Sequence, residues 1–150
     1  MDSIRTVIYK AIKTKLKASN AYNMEWIDIW KAQVGTSKEK KYPFNFPAAF
    51  ISTRRINWSD MVGNVKEGTT QIEVFLFFDK YQDTFDGATD EDDSLLINDT
   101  VEQVANDLHW IETDPFKELT EVADEDLTTA YNRPAFKLTF ETIIYKQINN

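Results

Sequence analysis

Residues 70–81 read TQIEVFLFFDKY, and the pattern of this stretch decides the fold. Side chains along a β-strand point to opposite faces in turn. One set of alternate positions is Ile72, Val74, Leu76 and Phe78, and the other is Phe75, Phe77 and Tyr81. The stretch therefore predicts a strand that is apolar on both faces.

Neighbouring stretches predict further strands. Residues 48–58 (AAFISTRRINW) form a second strand, which a polar connection containing Gly63 and Gly68 joins to residues 70–81 as a hairpin. Residues 135–146 (AFKLTFETIIYK) alternate most clearly, and residues 24–34 (MEWIDIWKAQV) are aromatic and β-branched enough to favour a strand. Residues 116–131 indicate only short β pieces, interrupted by Asp124, Glu125 and Asp126.

Two amphipathic helices complete the pattern. Residues 2–17, capped by Asp2 or Ser3, place their apolar side chains at helical spacing, and residues 94–110 do the same after Ser94. Strands that follow one another through short turns favour an antiparallel sheet, with a mixed sheet also possible, and two helices can cover only one of its faces. We therefore predict one α+β domain over residues 1–150, with both helices packed on one face.

The other face of this sheet carries Phe75, Phe77 and Tyr81. These aromatic rings need cover, either from loops of the same chain or from another subunit. We interpret them as contacts with another subunit, with cover by the chain's own loops as the alternative.

Charge is divided unevenly along the chain. Residues 79–126 hold 17 acidic and two basic side chains, whereas the other 102 residues hold eight acidic and 15 basic ones. This division favours contact between unlike surfaces of two copies, although an acidic surface also serves solubility. The predicted basic contacts are Lys38, Lys40, Lys41, Arg54 and Arg55. The predicted acidic surface, or lining of a channel, is Asp83, Asp86, Asp90, Glu91, Asp92 and Asp93.

Motifs for catalysis and cofactors are not found in the sequence. The four glycines lack the spacing of a phosphate-binding loop, no serine is flanked by glycines, and there is no cysteine. The single histidine, His109, is interpreted as a half-buried residue or one that faces the end of a helix. The acidic loop does not fit a calcium-binding EF-hand. We predict no enzyme activity, no cofactor, no metal and no membrane span, and synthesis in the cytoplasm.

In element order the chain resembles the tail terminator proteins, also called tail completion or neck proteins, of tailed bacteriophages. The stretches that carry the resemblance are IRTVIYKAIKTKLKA, YPFNFPAAFIS, GTTQIEVFLFF, SLLINDTVEQVANDLHW and AFKLTFETIIYK. The resemblance implies a structural virion protein, made in the host bacterial cytoplasm. Such a protein forms a ring, commonly a hexamer, that caps the tail tube and joins it to the head-connector proteins. In such a ring, Phe75, Phe77 and Tyr81 would contact another subunit or the tail tube.

The resemblance also implies that DNA passes through the ring without specific binding, and an acidic channel would repel the DNA backbone. Two other functions stay open at this stage. One is a domain that binds or converts a small molecule in an aromatic-lined pocket. The other is an acidic inhibitor that mimics DNA.

Overall fold

The computed structural model of the protein describes residues 2–37, 41–80, 91–114 and 116–148. These residues contain five strands and three helices. In chain order they are α1 Ile4–Ala18, β1 Trp26–Ile29, β2 Ala48–Asp60, β3 Val65–Phe77, α2 Glu91–Leu108, β4 Thr120–Asp126, α3 Thr128–Tyr131 and β5 Ala135–Gln147. The prediction of an α+β fold is confirmed.

The strands form one sheet in the order β1-β2-β3-β5-β4. The predicted hairpin is confirmed, since β2 pairs antiparallel with β3, and β5 pairs antiparallel with both β3 and β4. Only β1 runs parallel to its neighbour, β2, so the sheet is mixed. Strands β1 and β4 consequently lie at the two opposite edges of the sheet.

Helix α1 begins where the sequence predicts. The Ser3 hydroxyl accepts a hydrogen bond from the Thr6 N–H at 3.2 Å, which satisfies one of the free amides at the helix start. Ile8, Ile12 and Leu16 are fully buried because their spacing places them on one side of the helix. This side packs on the sheet.

Helix α2 covers the same face of the sheet. Val101, Val104 and Leu108 join the residues of α1 and the even-numbered positions of β3 in one apolar core. Both predicted helices therefore lie on one face. Helix α2 includes Glu91 and so extends at least three residues before the predicted start at Ser94.

Three strands and one short helix differ from the prediction. Strand β3 begins at Val65 and includes Gly68, which was predicted to lie in the connection between β2 and β3. Strand β1 has four residues instead of eleven, and Ala32 has a left-handed φ of 58°, a conformation that cannot continue a strand. Residues 124–126 were predicted to interrupt the β structure but belong to β4. The short helix α3, which was not predicted, follows β4 and ends at Asn132 with a φ of 56°.

Candidate interaction surfaces

The reverse face of the sheet, opposite the helices, is covered over half of its length by aromatic side chains of the same chain. Trp30 leaves β1 and lies flat on this face, with ring centroids 4.5 Å from Phe75 and 5.6 Å from Phe77. We call this group the aromatic layer, and its members are Trp30, Tyr42, Phe44, Phe46, Phe50, Phe75, Phe77 and Tyr131.

The aromatic layer corrects the interpretation of Phe75 and Phe77. Within one chain Phe75 is 8% exposed and Phe77 is 0% exposed, so neither ring offers surface to another subunit or to a tail tube. The alternative, cover by the chain's own loops, is the arrangement observed. Tyr81, the third residue of the predicted contact, lies outside the described residues.

Arg133 holds the covering loop in place, and sequence reasoning did not single it out. Its guanidinium lies 4.7 Å from the Phe46 ring centroid and 5.4 Å from that of Tyr42. It also donates a hydrogen bond to the Ser37 carbonyl at 3.3 Å. These contacts stabilise a buried cation that has no carboxylate within ion-pair distance in the described part of the chain. An arginine between Asn132 and Pro134 carries no pattern that would reveal this role.

Arg54 and Arg55 lie at a β-bulge in β2. The pairing register shifts between Thr53 and Ile56, so that these two arginines stand opposite a single residue of β3. The Arg5 side chain donates to the Thr53 carbonyl at 3.0 Å, and the Thr70 hydroxyl donates to the Arg55 carbonyl at 2.6 Å. The bulge is thus fixed from both sides.

The arginines of the bulge border an open groove on the uncovered half of the reverse face. The groove has a volume of about 1070 Å³ and is lined by both signs of charge. Its charged residues are Arg54, Arg55, Lys117, Glu73, Glu118 and Glu141. Arg54 lies 3.8 Å from the Glu73 carboxylate, which also accepts Lys137 at 3.3 Å. The groove therefore has no excess of positive charge.

A cationic surface lies instead on α1. Lys10, Lys13 and Lys17 follow one another at helical spacing and form what we call the basic stripe. Lys13 Nζ lies 5.7 Å from the ring centroid of Tyr9, one helical turn earlier, and Tyr9 donates its hydroxyl to the Ile27 carbonyl of β1 at 3.3 Å. This contact places that side of α1 over the β1 edge of the sheet.

An anionic surface lies at the opposite edge, where α2 meets β4. The Glu121 N–H donates to His109 Nδ1 at 3.2 Å, which fixes the end of α2 beside the start of β4. Glu102 of α2 lies near Glu121 and Asp124 of β4, and Asp126 lies near Asp124. Asp99 is exposed one turn before Glu102 on the same side of α2. We call these five residues the acidic edge. His109 is half-buried at the helix end, as the sequence predicted.

The carboxylates of the acidic edge repel one another. Burial raises the pKa of Glu121, and the charges of Asp124 and Glu102 raise it further. Burial likewise raises the pKa of Asp124, with contributions from Glu102 and Asp126. The shifts link α2 and β4 electrostatically, because charges affect a pKa only when they are near the group.

No known family model matches this sequence. No curated protein matches it either. The resemblance to tail terminator proteins consequently stays a prediction, based on the residue pattern and the order of elements.

The remaining predicted contacts are dispersed or lie outside the described residues. Lys41, Glu91 and Asp92 are described, and Lys41 and Asp92 are exposed. Lys38, Lys40, Asp83, Asp86 and Asp90 lie outside the described residues, as does the side chain of Asp93. The described ranges contain no group of three or more His, Asp or Glu residues arranged to hold a metal ion. Nor does any described helix have the length and apolar character needed to span a membrane.

The raised pKa of Asp124 predicts a stability that depends on pH. A raised pKa means that the Asp124 carboxyl group binds a proton more tightly in the folded protein than in the unfolded chain. The ionised carboxylate therefore lowers the free energy of unfolding at neutral pH. Asp124→Asn removes that cost and is expected to raise the free energy of unfolding by about 0.5 kcal/mol at pH 7, a small effect because exposed charges are screened. The gain should shrink as the pH falls through the raised pKa and vanish below the ordinary value. Urea titrations between acidic and neutral pH measure it.

Glu125→Gln is the matched control for this prediction. Glu125 is the next residue in β4, but its carboxylate accepts from Lys137 at 3.3 Å and so has a cation beside it. The glutamine should bring no gain in stability. An Asp124→Asn variant whose gain is the same at every pH would contradict the electrostatic explanation.

Proposed function

We propose that this protein is a structural ring subunit of tailed bacteriophages, of the tail terminator or neck kind. It acts in the virion without catalysing a reaction. Copies assemble at the head-proximal end of the tail tube and join it to the head-connector proteins, with six copies as the expected number. The fold supports the proposal through its order of elements, since an amphipathic helix, a long hairpin, a second helix and a terminal strand follow one another as in the resemblance.

The observation that carries the proposal is the opposite charge of the two sheet edges. The basic stripe lies at the β1 edge and the acidic edge lies beside β4, at the far end of the strand order. A twofold dimer joins a surface to its own copy, which would bring like charges together at either edge. Head-to-tail association joins unlike edges, and it closes into a ring when the rotation between copies allows.

The two alternative functions receive less support. An aromatic-lined pocket for a small molecule would need space between the rings, whereas the Trp30 ring stacks directly on both Phe75 and Phe77. A DNA mimic would need an acidic surface, and the acidic edge offers one. The basic stripe has no role in such an inhibitor, but it is required for head-to-tail assembly.

DNA would pass through the ring without specific contacts. We propose that the acidic residues before and at the start of α2, Glu91 and Asp92 among those described, face the channel and repel the phosphate backbone. A structure of the assembled ring tests this point. Residues 83–93 on the outer rim would contradict it.

Electron microscopy of the protein with tail tubes tests the proposed function. Tubes purified from a phage mutant without its terminator should carry one ring at a single end after the protein is added. Tubes from mature tails, which are already capped, are the control and should bind none. Binding along the length of the tube, or no binding to open ends, would overturn the proposal.

A further inference from the structure

We propose that the basic stripe of α1 in one copy docks on the acidic edge formed by α2 and β4 in the next copy. The inference rests on the proposed function and names the contact between subunits. It places the cationic half of that contact on Lys10, Lys13 and Lys17, which differs from the pairing predicted at Arg54 and Arg55.

The first argument is the charge of the two helices. Helix α1 contains five basic residues and no acidic one, whereas α2 contains six acidic residues and no basic one. The helices lie side by side on the sheet, yet none of the ion pairs in the described ranges joins one helix to the other. Lys10 and Lys17 of α1 and Asp99 and Glu102 of α2 are exposed, so a second copy can reach them.

The second argument is the lack of neutralisation at each surface. Lys10 has Asp2 at 2.7 Å, but Lys13 and Lys17 have no carboxylate within ion-pair distance among the described residues. On the acidic edge, Glu102 and Asp124 lie close enough to Glu121 for their charges to add to the effect of burial and raise its pKa. Ammonium groups brought in by another copy would relieve this repulsion, because opposite charges favour the ionised form of each group.

The third argument excludes the arginine bulge as the main cationic surface. Arg54 already lies beside Glu73 in its own chain, and Glu118 and Glu141 line the same groove. Three basic and three acidic residues in the groove balance one another. An acidic strand would meet repulsion there as well as attraction, whereas α1 itself presents no carboxylate.

Geometry also favours this pair of surfaces. The basic stripe lies over β1 and the acidic edge includes β4, and these strands are the two ends of one sheet. Copies placed side by side with the same orientation bring the β4 edge of one beside the β1 edge of the next. Each copy then uses one surface of each sign, and no charged edge is left unpaired in a closed ring.

Two charge-reversed variants test the contact. The first, K10E/K13E/K17E, makes both edges acidic, and the second, D99K/E102K/D124K, makes both edges basic. The six side chains lie on helix surfaces or on an edge strand, so both variants should keep the fold, which circular dichroism checks. In sedimentation velocity at low salt the unaltered protein should self-associate, and each variant alone should associate at least about 100-fold more weakly.

An equimolar mixture of the two variants should associate again. Two kinds of contact form in the mixture. In one, the unaltered basic stripe of the second variant meets the unaltered acidic edge of the first. In the other, both surfaces carry reversed charge, so they again have opposite signs. Raising the salt from about 50 mM to about 500 mM should weaken association of both the mixture and the unaltered protein, because the Debye length falls below the size of the contact.

R54E/R55E separates this contact from the arginine pairing and also tests whether added negative charge elsewhere on the protein is enough to weaken association. The inference expects this variant to associate like the unaltered protein. Loss of association by R54E/R55E alone, or a mixture that stays monomeric, would overturn the inference. So would an unaltered protein that is monomeric at about 500 μM, a concentration that reveals even weak contacts. The proposed function would survive these results if rings still formed on tail tubes.

Discussion

Replacing Trp30 by alanine is expected to lower the free energy of unfolding by about 3–5 kcal/mol, the range for loss of a large aromatic side chain from a core. The indole ring stacks on Phe75 and Phe77 and meets the edge of Phe50 at 5.5 Å. Without it, rings that are now almost fully buried would contact water. Urea denaturation followed by circular dichroism measures the change.

Trp110→Ala is the control for this experiment. The side chain of Trp110 is 64% exposed, so its removal should change the free energy of unfolding by no more than about 0.5 kcal/mol. If Trp30→Ala does not fold, Trp30→Phe keeps one aromatic ring in the layer and should lose only part of the stability. Equal, small effects at positions 30 and 110 would show that the aromatic layer is not a second core.

The alternation in residues 70–81 was sufficient to predict the orientation of the β3 side chains. Val74 and Leu76 face the helices, and Phe75 and Phe77 face the other way, as the alternation requires. It was not sufficient to predict what covers the second set. The cover comes from Trp30 and from residues 42–46, which have no regular period, and local pattern carries no information about which distant segment packs on a face.

The end of β1 also depends on a tertiary contact that the local sequence does not reveal. The aromatic and β-branched residues of 24–34 favour a strand, but Trp30 turns away from β1 because the reverse face of the sheet offers it an apolar surface. Ala32 then adopts a left-handed conformation.

Charge counts along the chain predicted that surfaces of opposite sign exist, but they did not identify the residues that form them. Arg54 and Arg55 are adjacent and therefore conspicuous in the sequence, yet the fold places them beside Glu73 and the other acidic residues of a mixed groove. The three lysines of α1 are separated by helical spacing, and only the packing of Tyr9 against β1 shows which sheet edge they follow. The acidic edge similarly combines residues of α2 and β4. No local sequence pattern predicts that these two elements lie side by side.

Gly68→Ala is expected to have the second largest effect on stability. Gly68 lies on the helix-facing side of β3, opposite Trp58 of β2. A Cβ atom at this position would lie 2.8 Å from Ile56 Cγ2 and 2.9 Å from two carbons of the Trp58 ring, closer than carbon atoms can approach. Relieving this overlap moves the ring or the strand, and the free energy of unfolding should fall by about 2 kcal/mol.

Gly35→Ala provides the comparison, because a Cβ atom there would have its nearest neighbour, the Tyr42 hydroxyl, at an ordinary 3.8 Å. It should change stability by less than about 0.5 kcal/mol. Trp58→Ala gives a stricter test of the steric explanation. In that background the ring is gone, so adding the methyl group at position 68 should cost much less, and a double-mutant cycle should show coupling of at least about 1 kcal/mol. An effect of Gly68→Ala that is equal with and without the Trp58 ring would mean that the close approach of strand and ring is not what requires glycine here.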